Sequence, residues 1–241
     1  MMAMQPGGFR EKKNPAVRPG AAEAVSRVRI RLARGGQAAR VSPREQLQLF
    51  REMVSVSGLD YAVKSGNVKM SFGPAIVEGY ESRSEYADLF LKGFVDSAGA
   101  AASLCAVCPA GYEVLGVRRV PVQFPSVEEM LAAVSYTVRG GFDGTLDEFD
   151  GFVGGCGPIL REKSDGRVLA LNPAELVLKT SMPEPGVLGL LMAVGAGRNL
   201  RPELLLGRHS GRELAPGRDI KVIREEFFWK SSDGSLIPVW D

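Results

Sequence analysis

The chain has 241 residues, of which 45% are hydrophobic and 24% are charged, and its formal net charge at pH 7 is +2. This length supports one sizeable hydrophobic core or two small ones, and the mean hydropathy of −0.01 is typical of a soluble globular protein. No apolar run approaches the roughly 20 residues that a membrane-spanning helix needs, and the first residues lack an apolar signal core. We therefore expect a cytoplasmic protein with no membrane association.

Positive charge is concentrated at the start of the chain. Residues 1–40 contain nine Lys or Arg and two Glu, a net charge of +7, whereas the remaining residues carry −5. Residues 1–24 combine Gly, Pro and charge with little apolar periodicity, which predicts a disordered basic arm. Such an arm either attracts a polyanion such as RNA, since attraction to phosphate does not depend on base sequence, or serves as a solubilising leader.

The predicted elements of residues 25–121 follow the order strand, helix, strand, strand, helix, strand. A strand with alternating apolar residues starts at Val25, and a capping box at Ser42–Glu45 opens a helix. Two strands flank a Gly/Pro turn, Asp96 caps a second helix, and a last strand covers residues 112–121. This is the split βαβ, or ferredoxin-like, pattern.

The same order of elements returns after a linker and short helix at residues 122–133. A strand begins at Val134, and a helix opens at the capping box Thr145–Glu148. Further strands, a hairpin turn at Ser164–Gly166 and a helix near Pro202 follow. We predict an α+β fold of two tandem ferredoxin-like (split βαβ) units with antiparallel sheets, the second over residues 134–241.

Two neighbouring segments carry a family resemblance. Residues 69–75 and 79–86 resemble the radical SAM-linked protein family, an uncharacterised domain encoded beside or fused to radical SAM enzymes. The resemblance extends over most of residues 25–229 and is supported by residues 34–36, 117–121, 136–138 and 197–205. It implies an accessory role in RNA or protein modification with a radical SAM enzyme as partner, and it supplies no catalytic residues.

The chain departs from the family pattern at two places. Where the family has a Ser-His-Leu-Asp-Leu-like start of the first helix, this chain has residues 42–46, which lack the His and Asp. The family's Asn-Pro-His-Pro before the second strand is reduced to Asn67-Val68. A function that depends on those side chains is therefore in doubt here.

Cationic side chains of the first unit are the leading candidates for nucleic-acid binding. The first predicted strand alternates apolar residues with arginines, which predicts an exposed arginine face, and the open face of a ferredoxin-like sheet can hold single-stranded RNA. A Gly-rich loop at residues 195–202 can also bind an anion through its backbone N–H groups; a tight strand-to-helix turn is the alternative. The predicted nucleic-acid-binding residues are Arg27, Arg29, Arg31, Arg34, Arg40, Lys64, Lys69, Arg198 and Arg201.

The remaining candidate sites have simpler explanations. His209 is the only histidine, and its neighbour Ser210 is adjacent in sequence without thereby being a catalytic partner. Cys105 and Cys108 form a single C-x-x-C, too few ligands for zinc or an iron–sulfur cluster, and we expect two small buried residues. Acidic pairs such as Asp147-Glu148 lie in first turns of predicted helices, where they favour the helix dipole. We predict no catalytic residues, no metal and no cofactor.

Three functions are compatible with these patterns. The leading hypothesis is a non-catalytic accessory module that binds RNA or positions an RNA substrate for a radical SAM enzyme. The alternative is a protein-only adaptor that docks that enzyme. A third is an RNA-processing endonuclease, because tandem ferredoxin-like units with Gly-rich loops occur in CRISPR RNA endonucleases, which is an analogy of fold alone.

Overall fold

The computed structural model describes residues 24–162, 166–195 and 199–241. Strands make up most of its regular structure. In chain order they are β1 (Ser26–Arg34), β2 (Val63–Lys64), β3 (Asn67–Val68), β4 (Met70–Phe72), β5 (Tyr80–Leu91), β6 (Tyr112–Val120), β7 (Leu131–Arg139), β8 (Ile159–Glu162), β9 (Val168–Leu171), β10 (Val177–Glu184), β11 (Val187–Ala193), β12 (Lys221–Lys230) and β13 (Leu236–Pro238).

The helices are short. They are α1 (Pro43–Val56), α2 (Ser97–Cys105), α3 (Val127–Met130), α4 (Leu146–Gly155), α5 (Pro173–Leu176) and α6 (Pro202–Ser210), with a 3₁₀ helix over Gly36–Arg40. Across the described ranges, none of them has the length and apolar character needed to cross a bilayer.

Three helices begin at predicted capping boxes, and these predictions are confirmed. The Ser42 hydroxyl accepts a hydrogen bond from the Glu45 backbone N–H, and the Glu45 carboxylate accepts one from the Ser42 N–H at 2.9 Å. The same reciprocal pair precedes α3, between Ser126 and Glu129, and α4, between Thr145 and Glu148. Hydrogen bonds with the capping residue lower the pKa of each of these glutamates.

The first half of the chain contributes four strands to the sheet and the second half contributes five. In the first half, β6, β1 and β5 lie side by side, and β4 pairs with the later part of β5. In the second half the order is β10, β11, β7, β12. All pairs within a half are antiparallel. The predicted α+β class is therefore confirmed.

The two halves share one sheet. The start of β12 lies parallel to the start of β5, with Val222 opposite Tyr80 and Arg224 opposite Ser82. With β13 added beside β12, the described strands form one nine-stranded sheet. The predicted antiparallel pairing is found within each half, but the two halves share one mostly antiparallel sheet instead of forming a sheet each, because the open edge of β5 is completed by a strand from the other half.

Two apolar cores lie against this sheet. In the first half, Ile30 and Leu32 of β1 pack with Phe50 of α1 and Leu104 of α2. The second half has the larger core, which includes Phe149 of α4 and reaches Val222 and Phe227 of β12, the strand that pairs with β5. Each core buries residues from a helix and a strand of its own half, so hydrophobic burial stabilises both halves.

The last residues cover the face of the sheet opposite to α1. The Trp240 ring stacks on Tyr86 at 6.1 Å between centroids, and the Arg118 guanidinium lies 5.0 Å from the Trp240 ring. Gly116 of β6 permits this approach, since a Cβ there would lie 2.7 Å from Cζ2 of Trp240. The Trp240 side chain thus packs on its own chain.

We expect Gly116→Ala to destabilise the protein by about 1–3 kcal/mol, because the added methyl group overpacks the contact with Trp240. Urea unfolding gives the free energy, and Trp fluorescence reports displacement of the ring. Gly93→Ala is the matched control, as a Cβ at that position meets no atom within 4 Å. Equal stabilities of the two variants would contradict the expectation.

Candidate functional site

The predicted arginine face of β1 is buried. Arg27 and Arg29 are 2% and 0% exposed, and both pair with Asp88 of β5, which is fully buried. Nε of Arg29 lies 2.8 Å from Oδ1 of Asp88. Arg27 also donates to the carbonyl oxygens of Phe124 and Pro125 in the segment before α3. The prediction that Arg27 and Arg29 are exposed is wrong, because β1 is an inner strand whose second face is covered.

Arg31 and Arg34 are also held within the fold. Arg31 is 24% exposed and pairs with Glu226 of β12 at 2.7 Å. Arg34 is 1% exposed and donates to Oε1 of Gln46 and to the carbonyl of Ala39, both at 2.7 Å. Burial lowers the pKa of the Arg34 guanidinium. The predicted exposure of Arg34 is therefore wrong, since it anchors the 3₁₀ helix to α1.

The other predicted cations lie in different places. Lys64 is exposed on the β2–β3 hairpin, and the Lys69 ammonium lies 4.6 Å from the centroid of Phe90. Arg40 is exposed at the end of the 3₁₀ helix, and Arg201 is half-buried with Nε 3.2 Å from Glu203. Arg198 lies outside the described residues, as do residues 1–23 of the predicted arm and part of the predicted hairpin turn.

Three adjoining clefts form a groove at one end of the sheet. The middle cleft, of about 690 Å³, lies between the 3₁₀ helix and the loop that precedes β12. Gly36, Glu81 and Lys221 also line a second cleft, of about 550 Å³. Pro216 also lines a third cleft, of about 580 Å³. We call the three together the basic groove.

The parallel pairing of β5 and β12 builds this groove. Because parallel strands begin at the same edge of a sheet, the loop before β5 and the loop before β12 meet there. They touch at Gly79, whose φ is +88° and whose added Cβ would lie 2.3 Å from the Pro216 carbonyl oxygen. The Gly79 N–H donates to Ala39 at 2.7 Å, which fixes the 3₁₀ helix as the opposite wall.

Cations outnumber carboxylates along the basic groove. Its described lining includes nine cationic side chains and six carboxylates. The cations are Arg34, Arg40, Arg83, Arg139, Arg201, Arg208, Arg212, Arg218 and Lys221. Several are paired, for example Lys221 with Glu81 at 2.9 Å and Arg218 with Asp219 at 3.0 Å. Exposed pairs of this kind contribute little stability, so they can be exchanged for a ligand at low cost.

Three exposed arginines of the groove have no such partner. Within the described part of the chain, Arg40, Arg208 and Arg212 form no ion pair and no side-chain hydrogen bond. Arg40 lines the middle cleft, and the other two line the cleft beside α6. Guanidinium groups without an internal partner are suited to binding phosphate in a bidentate manner.

The sequence reasoning missed most of these residues. Arg34, Arg40 and Arg201 were predicted, and the other six cations were not. Of these six, Arg208, Arg212 and Arg218 lie at the end of α6 and in the loop before β12, where no apolar period marks a surface. The available signal was the repeated occurrence of Arg with Gly between residues 207 and 218.

The residues considered above for metal binding or catalysis have other surroundings in the structure. Among the described residues, no group of three or more His, Cys, Asp or Glu could hold a metal ion. The His209 ring lies against phenylalanine rings, with centroids 5.0 Å from Phe142 and 4.8 Å from Phe152. The Ser210 hydroxyl lies 3.4 Å from the Gly207 carbonyl oxygen. In the predicted anion loop, the Gly195 N–H donates to Asn199 at 3.1 Å.

One family model matches the chain, over residues 27–181. Its description reads "Uncharacterized protein conserved in bacteria (DUF2344)". The chain belongs to the DUF2344 family. The match covers nearly all of β1 and the Asp88 ion pairs, and it ends within β10, before α6, which carries Arg208, and the loop that carries Arg212. No curated protein matches this DUF2344 member.

Solved structures give distant likenesses to the DUF2344 chain. A Cbf5-Nop10-Gar1 complex matches with a TM-score of 0.42 at 11% identity, over 83% of this chain and 48% of that chain. An archaeal box H/ACA sRNP Nop10-Cbf5 complex matches with a TM-score of 0.37 at 9% identity, over 82% of this chain and 46% of that chain. An H/ACA RNP bound to a substrate RNA containing 2'-deoxyuridine matches with a TM-score of 0.38 at 11% identity, over 90% of this chain and 55% of that chain. The chain spans about half the length of these relatives, and TM-scores below 0.5 carry neither fold nor function to it.

Proposed function

We propose that the protein is a non-catalytic accessory protein that binds RNA in the basic groove. The observation that carries this proposal is the row of unpaired, exposed arginines, Arg40, Arg208 and Arg212, along a groove with excess positive charge. Tyr112, 8% exposed, is the aromatic side chain in the described lining, so base stacking contributes little. The protein therefore recognises the sugar–phosphate backbone rather than base sequence.

The predicted basic arm provides a second contact in this proposal. The described chain begins at Ala24, beside the start of β1, whereas the groove lies beside the end of β1. A nine-residue strand extends about 30 Å, so the arm joins the fold about 30 Å from the groove. The arm and the groove residues are distinct parts of the chain, so each contact can be removed without the other.

The link to a radical SAM enzyme is the finer part of the proposal and depends on the family resemblance. Exposed apolar side chains such as Phe94, at 72%, and Leu160, at 70%, lie in different halves of the chain and are separate candidate contacts for a protein partner. A protein-only adaptor would bind its partner without the groove. Measured RNA binding therefore distinguishes the RNA-binding accessory protein from the protein-only adaptor. Shortening of the bound RNA during incubation would indicate the endonuclease alternative.

We also propose that each half is a ferredoxin-like unit, with boundaries near residues 121 and 134. The strand order β6-β1-β5-β4 in the first half and β10-β11-β7-β12 in the second supports this proposal. Both orders follow from the same chain sequence of strand, helix, strand, strand, helix, strand.

The test is binding of a labelled, mixed-sequence single-stranded RNA across a salt series. We expect the variant with Arg40, Arg208 and Arg212 replaced by Gln to bind about 10- to 100-fold more weakly. The slope of log K against log salt should fall by about 2, because three phosphate contacts are lost. A chain that starts at Ala24 should lose affinity separately, through the arm.

The control removes the same charge from the other end of the sheet. Lys92, Arg119 and Lys230 are exposed, and none of them lines the basic groove. Replacing these three by Gln should leave the salt slope close to that of the native chain. Equal losses in both triple variants would show a diffuse charge effect and defeat the proposal, as would a native chain that binds no RNA at any salt.

A further inference from the structure

A pair of thiols lies beside one wall of the basic groove. Cys105 is the last residue of α2 and is exposed, and Cys108 is half-buried in the turn that follows. The expectation of two buried cysteines is therefore wrong for Cys105. Both thiols are free in the described structure.

The backbone holds the two cysteines within disulfide range. The Cys108 N–H donates to the Cys105 carbonyl at 3.4 Å, the hydrogen bond of a four-residue turn. Such a turn keeps its first and last Cα atoms within about 7 Å, and disulfides join Cα atoms about 4.4–6.8 Å apart.

Both thiols also meet the same point of β6. Sγ of Cys105 lies 4.0 Å from the Val114 carbonyl oxygen. The Val114 backbone also lowers the pKa of the Cys108 thiol, against the larger rise that burial causes. Two sulfur atoms directed to one residue of a neighbouring strand need little rearrangement to approach each other. The turn and β6 thus place the thiols together from two sides.

We propose that Cys105 and Cys108 form a reversible intrachain disulfide that regulates the basic groove. The oxidant is a small-molecule disulfide such as oxidised glutathione. The exposed Cys105 thiolate attacks one sulfur of the oxidant, which forms a mixed disulfide and releases one thiolate. The Cys108 thiolate then attacks Sγ of Cys105 and releases the second small thiol. Two protein thiols are oxidised and one small disulfide is reduced to two thiols.

The surroundings of the pair set its rate. Burial raises the pKa of the Cys108 thiol. Cys105 is the exposed thiol of the pair, so it is the one that a small disulfide can reach. We expect oxidation to take minutes to hours without a catalyst.

Only two residues separate Cys108 from the residues that line the basic groove. The residues that follow the turn, Gly111, Tyr112 and Glu113, line one of its clefts. The Gly111 carbonyl accepts the Gly35 N–H at 2.9 Å, and a Cβ at Gly111 would lie 2.7 Å from that of Ala38. A disulfide that stiffens residues 105–108 therefore acts on the wall formed by the 3₁₀ helix. This regulatory part rests on the proposed function.

The test uses the full chain, reduced and then incubated with oxidised glutathione. We expect loss of about 2 Da, for two hydrogen atoms, and a fall in reactive thiols from three to one. Peptide mapping should join Cys105 to Cys108 and leave Cys156 free. Cys156→Ser should give the same linkage, and Cys108→Ser should retain glutathione on Cys105. A native chain that retains glutathione on Cys105, or reacts equally at Cys156, overturns the proposal.

RNA affinity of the reduced and oxidised chains then tests the regulatory part. We expect the oxidised chain to bind about fivefold more tightly, because a stiffer wall is better preorganised. Equal affinities of two chains that both bind RNA would overturn the regulation and leave the proposed function standing. A disulfide that forms in a chain without RNA affinity would overturn the proposed function and the regulation together.

Discussion

Replacing Asp88 with Asn will lower the free energy of unfolding by about 3–5 kcal/mol, because it leaves the guanidinium groups of Arg27 and Arg29 buried without a counter-charge. Asp88 is fully buried and bonds to both arginines, with Arg29 at 2.8 and 3.1 Å. Asn has nearly the same shape as Asp but carries no charge. The lost free energy of unfolding therefore measures the missing counter-charge for the two arginines and not the creation of a cavity. Urea unfolding followed by circular dichroism measures it.

The control for this experiment is an exposed aspartate that also has a cationic partner. Asp60 lies 3.1 Å from the Lys92 ammonium, and its side chain is 71% exposed. Asp60→Asn should leave the unfolding midpoint unchanged, since water compensates an exposed charge. If Asp88→Asn behaves like Asp60→Asn, the buried triad of charges does not stabilise the sheet.

Replacing Arg224 with Met will cost about 3–5 kcal/mol, because this guanidinium joins the two halves of the sheet. From β12 it donates to Glu85 of β5 at 3.1 Å and to the carbonyl oxygens of Pro74 and Ala75 at 3.1 and 3.2 Å. Arg224 and Glu85 are both almost completely buried. Without Arg224, the Glu85 carboxylate retains Gln46 as its bonded partner, at 3.2 Å, in the described structure.

A second substitution distinguishes the lost pair from lost packing. Glu85→Gln combined with Arg224→Met removes both charges, so the double variant should be more stable than the sum of the single changes predicts. Arg83→Met, which removes an exposed guanidinium paired with Glu225, is the matched control and should have little effect. A loss for Arg224→Met no larger than that for Arg83→Met would contradict the assignment.

Local signals in the sequence predicted most helix starts. The capping boxes that begin at Ser42 and Thr145 each form between residues three positions apart, so four consecutive residues are enough to predict them. The short helix α5 and the strand β13 were not predicted, because each has only three or four residues and too little period to detect.

The burial and the ion-pair partners of the β1 arginines could not be predicted from the local sequence pattern. Period-two alternation distinguishes two faces of a strand, but it does not say whether the polar face meets water or a partner. The partner of Arg29 is 59 residues away and that of Arg31 is 195 residues away. The basic groove was missed for a related reason, since its walls come from loops that only the β5–β12 pairing brings together.

The parallel pairing of β5 with β12 also has a consequence for synthesis of the chain. The paired segments, starting at Tyr80 and Val222, are separated by about 140 residues. At 5–20 residues per second, the ribosome needs roughly 7–28 s to make the second segment after the first. During that interval the early part of β5 presents unpaired backbone groups, which is the kind of edge that nascent-chain chaperones cover and that promotes aggregation.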